Sequence, residues 1–469
     1  MMDNQRTRHL AFSIFALLLT LPATSWSQAP TPLLGSVPVG QATGTILDLS
    51  LRDALERALK YNLGVIESSQ NERAAHAVRL RNLNALLPNL TARLSGTLQQ
   101  INLKAFGFNF NLFPGLGIPA IVGPFGVADV RAYLTQSIFN WSDIKNWKSA
   151  AEAERATQYT YKRDRDLVVQ TAGDAYLLVI SDAATTDAAR ARVQTAQTLY
   201  DNTADQNRQG VVASIDVLRA RVELQTEQQR LISAQNQLAI DKLALARVIG
   251  LPDGQEFRLA DSVPYAPLTG ITLEESLKQA RMTRADYLSA QAQVRAAELA
   301  RRAAIAENYP SLSLNADYGD IGSPNFGTSH GTFSFAVGMN IPIYQGTRVR
   351  ADKLLADSAL EQRRAELADL GGRIDQEVRT AFFNLSSSSE LVAVARSNVD
   401  LANQTLTQAQ DRFRAGVADN LEVVQAQESV ASANQSYITG SYSFNVAKLS
   451  LALAIGVAEQ SALQYLGVK

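Results

Sequence analysis

Few residues in this chain could carry covalent or metal chemistry. It has no cysteine, which removes disulfides, thiolate metal sites, cysteine nucleophiles and a lipidated N-terminal cysteine together. Past the first residues only His76 and His330 remain as histidines, and each reads as a lone polar residue without a ligand set. The 45 acids could in principle supply a general acid and base pair, but no spacing puts two of them in one pocket. No catalytic residue, cofactor or metal is expected. Two acids do recur at matched places: Asp216 in RQGVVASIDVLRA, Arg208 to Ala220, and Glu422 in RAGVADNLEVVQA, Arg414 to Ala426. Their chemistry is electrostatic, because a carboxylate in the first turn of a helix is favoured by the helix dipole.

Such turns need long helices to carry them. Gly210 and Gly416 suit a left-handed residue closing one helix, and Ser214 and Asn420 suit N-caps of the next. No proline occurs from Asp143 to Leu251 or after Pro342, and these segments are rich in Ala, Leu, Gln, Glu and Arg. They read as helices over 143–209, 214–249, 348–415 and 420–455. The first, ~65 residues with only Gly173 as a breaker, would be ~100 Å long at 1.5 Å per residue. A helix of that length cannot fold into a small globule, so the simplest architecture is a long coiled-coil tube.

The chain is a tandem repeat. LSLRDALERAL, Leu49 to Leu59, matches ITLEESLKQAR, Ile271 to Arg281, and Pro88 in LLPNL matches Pro310 in NYPSL at the same offset of 222 residues. Later the offset is 206, pairing Gly210 with Gly416, Lys242 with Lys448 and Gly250 with Gly456. The first copy therefore holds 16 extra residues, assigned to a loop in the Gly- and Pro-rich stretch from Phe113 to Gly126. The division is 30–46 an N-terminal extension, 47–250 the first repeat, 251–270 a proline-marked linker, 271–456 the second repeat and 457–469 a tail.

After Pro88 the period changes from helical to two. Leu90, Ala92, Leu94 and Leu98 alternate with Thr91, Arg93, Ser95 and Thr97; Ala128, Val130, Ala132 and Leu134 alternate with Asp129, Arg131 and Tyr133. The second copy repeats this with Leu312, Leu314, Ala316 and Tyr318, then Phe333, Phe335, Val337 and Met339. Four strands are expected, about 89–112, 127–139, 311–319 and 332–344. The run Phe106, Phe108, Phe110 and Leu112 is either a strand end or a loop folded over an opening.

An ordinary sheet covered by helices would show similar alternation. Strand lengths suited to a bilayer, polar faces of Ser, Thr and Asn such as a wet lumen would carry, and export together favour membrane strands. Arg6, Arg8 and His9 precede an apolar run from Leu10 to Leu21, then small residues through Ser25, Ser27 and Ala29, the pattern of a signal peptide over 1–29 cleaved after Ser27 or after Ala29. Beyond it no stretch approaches the ~18 uninterrupted apolar residues of a membrane helix, so a membrane could be crossed only by strands. Four strands cannot close, and an open edge cannot stand in lipid; three copies would supply twelve strands. A net charge of −1 with mixed signs argues against a nucleic-acid partner.

The signal peptide, the two helix–hairpin–helix repeats, Pro88 and Pro310 leading into strands, the NIPIYQG strand exit and the paired R-x-G-V turns together resemble the TolC-like outer-membrane efflux family over the whole mature chain. The resemblance implies a homotrimer: a twelve-stranded β-barrel in the outer-membrane lipid bilayer, continued by an α-helical coiled-coil barrel in the periplasm. It implies a passive exit duct for efflux or type I secretion, docked on a periplasmic adaptor (membrane fusion) protein and an inner-membrane pump. Arg208, Gly210, Val211 and Val212, with Arg414, Gly416, Val417 and Ala418, match the family's adaptor-contact tips. Asp216, Phe413 and Glu422 match its periplasmic aperture, where three copies of each acid would favour cations; the alternative is that both acids only start helices. Phe413 stands where a tyrosine occurs in the family, Ala418 where a basic residue can sit and Gln425 where a second acid is known, so a polar latch is not carried over. The rival class is a periplasmic coiled-coil adaptor or scaffold, which would need one helical hairpin between soluble β-domains.

Overall fold

A computed structural model describes residues 32–107, 119–261, 266–268, 270–324, 327, 329–415, 417 and 420–467. The signal-peptide segment lies outside the described residues. Each repeat opens with a short helix, α1 (Leu51–Tyr61) or α5 (Leu273–Thr283), started by a side-chain cap. Ser50 accepts the Asp53 amide at 3.1 Å and Thr272 the Glu275 amide at 3.3 Å, satisfying a donor that the first helical turn leaves free. A kink follows at Asn62 and Arg284, both extended, and the chain continues as α2 (Leu63–Asn84) and α6 (Ala285–Ala306).

The strands come next: β2 (Asn89–Asn102) and β3 (Ile121–Phe139) in the first repeat, β5 (Ser311–Gly322) and β6 (His330–Asn340) in the second. They form one antiparallel sheet in the order β2-β3-β5-β6. Below it run α3 (Trp141–Arg208) with α4 (Ser214–Ile249), and α7 (Arg348–Arg414) with α8 (Asn420–Ile455). The helices next to the sheet keep the strand order: α2 touches α3, α3 touches α6 and α6 touches α7. Farther away the order is α4, α3, α8, α7.

The core lies where the helices change partners. Val168, Ala172 and Tyr176 of α3 pack with Leu51 and Ala58 of α1, Leu245 and Ile249 of α4 and Leu449 of α8. Ile374 and Val378 of α7 pack with Phe444 and Leu451 of α8 and Ala280 of α5 in the matching cluster of the second repeat. Among the described residues one helix, α3, has length and hydropathy enough to cross a membrane, with 39% of its most apolar window buried inside the chain. Val168, Val169, Ala172, Tyr176, Leu177 and Val179 of this helix are buried in the first core, as a core-facing stripe would be.

Several expectations differ from the structure. The strand expected to reach residue 112 ends at Asn102, where Leu103–Phe106 turn into a 3-10 helix capped by Asn102 and closed by Gly107 at φ +82°; the rest of the Phe106 to Leu112 run, from 108, lies outside the described residues. The loop expected from Phe113 to Gly126 gives way to strand at Ile121, β5 runs past 319 to Gly322, and β6 starts at His330 and ends at Asn340 where 332–344 was expected. Within the linker, β4 (Phe257–Leu259) pairs in parallel with β1 (Leu47–Leu49). The tail forms α9 (Ala458–Leu466), whose Glu459 amide donates to buried Asp166 at 2.9 Å while Arg165 Nε donates to the Glu459 carboxylate at 2.9 Å. Both anchors are distant in sequence, so local pattern could not reveal them.

Candidate functional site

The alternation read from the sequence becomes two continuous faces. Register places Leu90 beside Leu134, Ala92 beside Ala132 and Leu94 beside Val130; across β3 and β5, Ala132 meets Tyr318 and Leu134 meets Ala316; across β5 and β6, Tyr318 meets Phe333 and Leu314 meets Val337. One face is thus apolar from edge to edge. It is also bare: Leu90, Leu94, Leu98, Phe333, Phe335 and Met339 are 65 to 79% exposed. A soluble chain rarely leaves so broad an apolar surface in water.

The opposite face is polar and internally bonded. Arg131 of β3 pairs with Asp317 of β5, donates from Nε to Asp129 at 3.3 Å and donates from Nη2 to Thr332 of β6 at 3.0 Å. Gly319 lies opposite Arg131, and a Cβ there would stand 2.8 Å from the Arg131 Cβ. A side chain at 319 would crowd the arginine that links three strands. At the helical end of the sheet, Phe139, Trp141, Tyr309, Ile343 and Tyr344 are exposed, and Lys145 Nζ lies 4.7 Å from the Trp141 ring centre. Amphipathic aromatics suit a boundary between hydrocarbon and water.

At the far end each helix pair turns sharply. Gly210 has φ +75°; its amide donates to the Asn207 carbonyl at 2.9 Å and the Val211 amide to the Gln206 carbonyl at 2.9 Å. These two bonds close a helix by the Schellman pattern, which glycine alone adopts without strain. Asn207 Nδ2 then donates to the Val212 carbonyl at 2.8 Å. In the second turn the Val417 amide donates to the Arg412 carbonyl at 3.1 Å, the equivalent bond; Gly416 and Ala418 lie outside the described residues. Val211 and Val417 are both exposed. Arg208 pairs with Asp205, and Arg414 with Asp411 at 3.1 Å, each one turn back. The N-cap expected at Ser214 is Ala213 instead, with no side-chain bond to the helix. The Asn420 side chain is outside the described residues.

Asp216 meets Arg219 of its own helix at 3.3 Å, and Glu422 meets Arg412 of α7 at 3.2 Å. Phe413 is half-buried against Leu406, Ala409, Val423 and Ala426. Within one chain Asp216, Phe413 and Glu422 therefore sit near the same end of the helix pairs. Higher up lies a cluster that sequence reading missed. Glu223 and Glu227 of α4 and Glu428 of α8 bring carboxylate oxygens within 4.8 Å of one another. Arg230 pairs with Glu227 and, at 2.9 Å, with Glu428; Arg192 Nε of α3 stands 3.8 Å from Glu227. Burial, then the charges of Glu428 and Glu227, hold the Glu223 carboxyl above the usual range. With two guanidiniums already among three carboxylates, the cluster is an ion-pair network. Glu223-x-x-x-Glu227 was visible as one helical face, but its α8 partner is some 200 residues away.

The model of the family described as outer membrane efflux protein matches residues 54–251 and 276–457, both repeats. The chain belongs to the outer membrane efflux protein family. It is 22% identical to the outer membrane protein TolC of Escherichia coli over 348 residues, covering 70% of this chain and 69% of that one. With the outer membrane protein OprJ of Pseudomonas aeruginosa it shares 26% identity, covering 96% of each. Its fold matches the crystal structure of the Campylobacter jejuni CmeC outer membrane channel at a TM-score of 0.74, with 16% identity and 94% of each chain covered. This efflux protein is an outer-membrane channel subunit. Proteins of its family are channels, and the mainly helical fold with a sheet is theirs.

Proposed function

We propose that three copies of the chain close their four-stranded sheets into one twelve-stranded barrel, continued by a tunnel of helices. The observation that carries this reading is the sheet itself, apolar and bare on one face, polar on the other, with β2 and β6 unpaired at its edges. Each unsatisfied backbone group in hydrocarbon costs several kcal/mol, so a membrane sheet must close, and barrels of this class have an even strand number. The polar face then lines a wet lumen, and the ~100 Å helices reach into the periplasm.

The duct is passive in this reading. A periplasmic adaptor and an inner-membrane pump, of an efflux or type I secretion system, deliver the substrate. The tips formed by Arg208, Gly210, Val211 and Val212 and by Arg414, Gly416, Val417 and Ala418 receive the adaptor: exposed valines beside tethered arginines offer an apolar contact with a polar rim. Asp216 and Glu422, with Phe413 packed between helices, form the periplasmic aperture.

The test is the detergent-corrected mass of the protein extracted from isolated outer membranes, with circular dichroism on the same sample. A trimer that is mostly helix with some strand is expected. A monomer released with soluble periplasmic proteins would hand the case to the coiled-coil scaffold.

A further inference from the structure

We propose that the outer face of α3 and α6, directly under the apolar face of the sheet, is a headgroup site in which Lys145, Lys148 and Arg302 hold the phosphate of an anionic phospholipid of the periplasmic leaflet. The inference rests on that sheet face lying in lipid, and it adds which side chains grip a lipid and by which of its groups.

The helix α3 leads straight out of the apolar face. Phe139 is paired with Leu312 and Leu312 with Met339, so Phe139 ends that face. Its ring centre lies 5.8 Å from the ring centre of Trp141, the first residue of α3. At 3.6 residues per turn Trp141, Lys145, Lys148 and Glu152 share an arc of about 60° on this helix. The arc therefore continues the lipid side of the sheet, and Lys145 Nζ, 4.7 Å from the Trp141 ring centre, reaches back toward it.

The third cation comes from α6. Arg295 Nε donates to Glu152 at 2.8 Å, which brings Arg295 to the same outer arc, and Arg302 stands two turns further along α6 at nearly the same angle. The helices run antiparallel: Ser149 Oγ donates to the Ala296 carbonyl and Ser289 Oγ to the Ala156 carbonyl, each at 2.8 Å. Arg302 thus comes level with Lys145.

These charges lack acids to match them. Among the described residues Lys148 and Arg302 make no ion pair or hydrogen bond within the chain, and the Trp141 ring is the partner of Lys145. Glu152, the acid on the arc, is already held by Arg155 at 2.7 Å and by Arg295 at 2.8 Å. Close to its N-terminal end a helix dipole does not favour cations, so an anion from outside the chain is what would offset the repulsion. Depth selects the anion. Lys145 and Lys148 start ~6 and ~10 Å below Trp141 at 1.5 Å per residue, and the headgroup layer is about 5 to 8 Å thick on each side of the hydrocarbon. Long cationic side chains reach up into that layer while their stems lie along apolar surface. In the row α2, α3, α6, α7 the two helices of the site are the inner ones, away from the edges that another copy would cover.

The test uses full-length protein purified from outer membranes in a neutral detergent and given equal amounts of phosphatidylglycerol and phosphatidylcholine, with bound lipid counted by mass spectrometry. The parent should retain phosphatidylglycerol preferentially, and phosphate should displace it no better than chloride at equal ionic strength. A Lys or Arg beside an anionic surface strengthens binding roughly fivefold, so the triple variant Lys145→Gln, Lys148→Gln, Arg302→Gln should lose more than tenfold. Arg155→Gln, a cation outside the cluster, should bind as the parent does. Equal retention by triple variant and parent, or an equal loss in Arg155→Gln, overturns the site, and displacement by phosphate alone replaces the lipid with a free anion. Single variants Lys148→Gln and Arg302→Gln, each expected to lose several-fold, keep the test decisive if the triple variant fails to fold. In vesicles with brominated acyl chains the parent's fluorescence should be quenched, and Trp141→Phe should remove part of that quenching. No quenching at Trp141 would overturn the lipid-facing reading itself; quenching without the headgroup preference would overturn the site alone.

Discussion

Asp216 and Glu422 show how far a charge can be read without its neighbours. Sequence places both in the first turn of a helix, but the structure gives each an arginine, Arg219 and Arg412, at 3.3 and 3.2 Å. Exposed pairs of this kind contribute about 0 to 1 kcal/mol and remain responsive to salt. In the proposed aperture each acid would therefore present a paired charge and not a bare one. Replacing both, Asp216→Asn with Glu422→Gln, should shift the reversal potential in planar bilayers toward anions. Replacing Arg219 and Arg412 with Gln should shift it toward cations. If neither pair of changes moves the potential in a salt gradient, the aperture assignment is lost and both acids only start helices.

At the level of elements, the packed helices bury ionisable groups that their own patterns do not explain. Burial between helices pushes the Asp174 carboxyl of α3 up to about 7, and burial, then the charge of the same carboxyl, raises the pKa of Tyr442 on α8. Asp182, two turns on, is raised by burial and by Asp241 of α4, whose Oδ2 accepts from Gln237 at 2.7 Å. In the unfolded chain Asp174 would hold its proton only to about pH 4. Folding therefore binds a proton between those values, and the stability contributed is complete below pH 4 and lost as pH rises through 7. Asp174→Asn should flatten the fall in melting temperature between pH 4.5 and 8 and raise it most at pH 8. A parallel pH profile for variant and parent would remove Asp174 from the account. Element type and length were legible because helical and alternating periods are local. Element ends were not: Asn102 closes β2 early by capping a 3-10 turn, and Ala213 replaces Ser214 as the cap because the turn ends one residue sooner.

For the whole molecule, the bare apolar face is the feature that needs an environment. Leu94 and Thr97 occupy the same strand on opposite faces. An arginine on the lipid face of a barrel costs about 2 to 4 kcal/mol near the midplane, and much less in a lumen. Leu94→Arg should reduce the protein recovered from outer membranes several-fold, whereas Thr97→Arg should leave the yield near that of the parent. Equal losses would mean that the two faces do not divide lipid from water. The candidate tips were legible for a similar reason: Gly210 needs φ > 0, and its two helix-closing bonds are made within six residues.

By itself the sequence determined the repeat, the long helices, the alternating strands and the family they resemble, because each is written in spacings of a few residues. The tertiary structure alone decided which strands share an edge, that β4 joins β1, that α9 is held by Asp166 and Arg165, and that Arg230 reaches Glu428. Those contacts join residues roughly 200 or more positions apart in most cases. Side-chain periodicity records which face of an element is buried and carries no label for the element that buries it. The partner is chosen by packing, where shape and charge from distant segments meet.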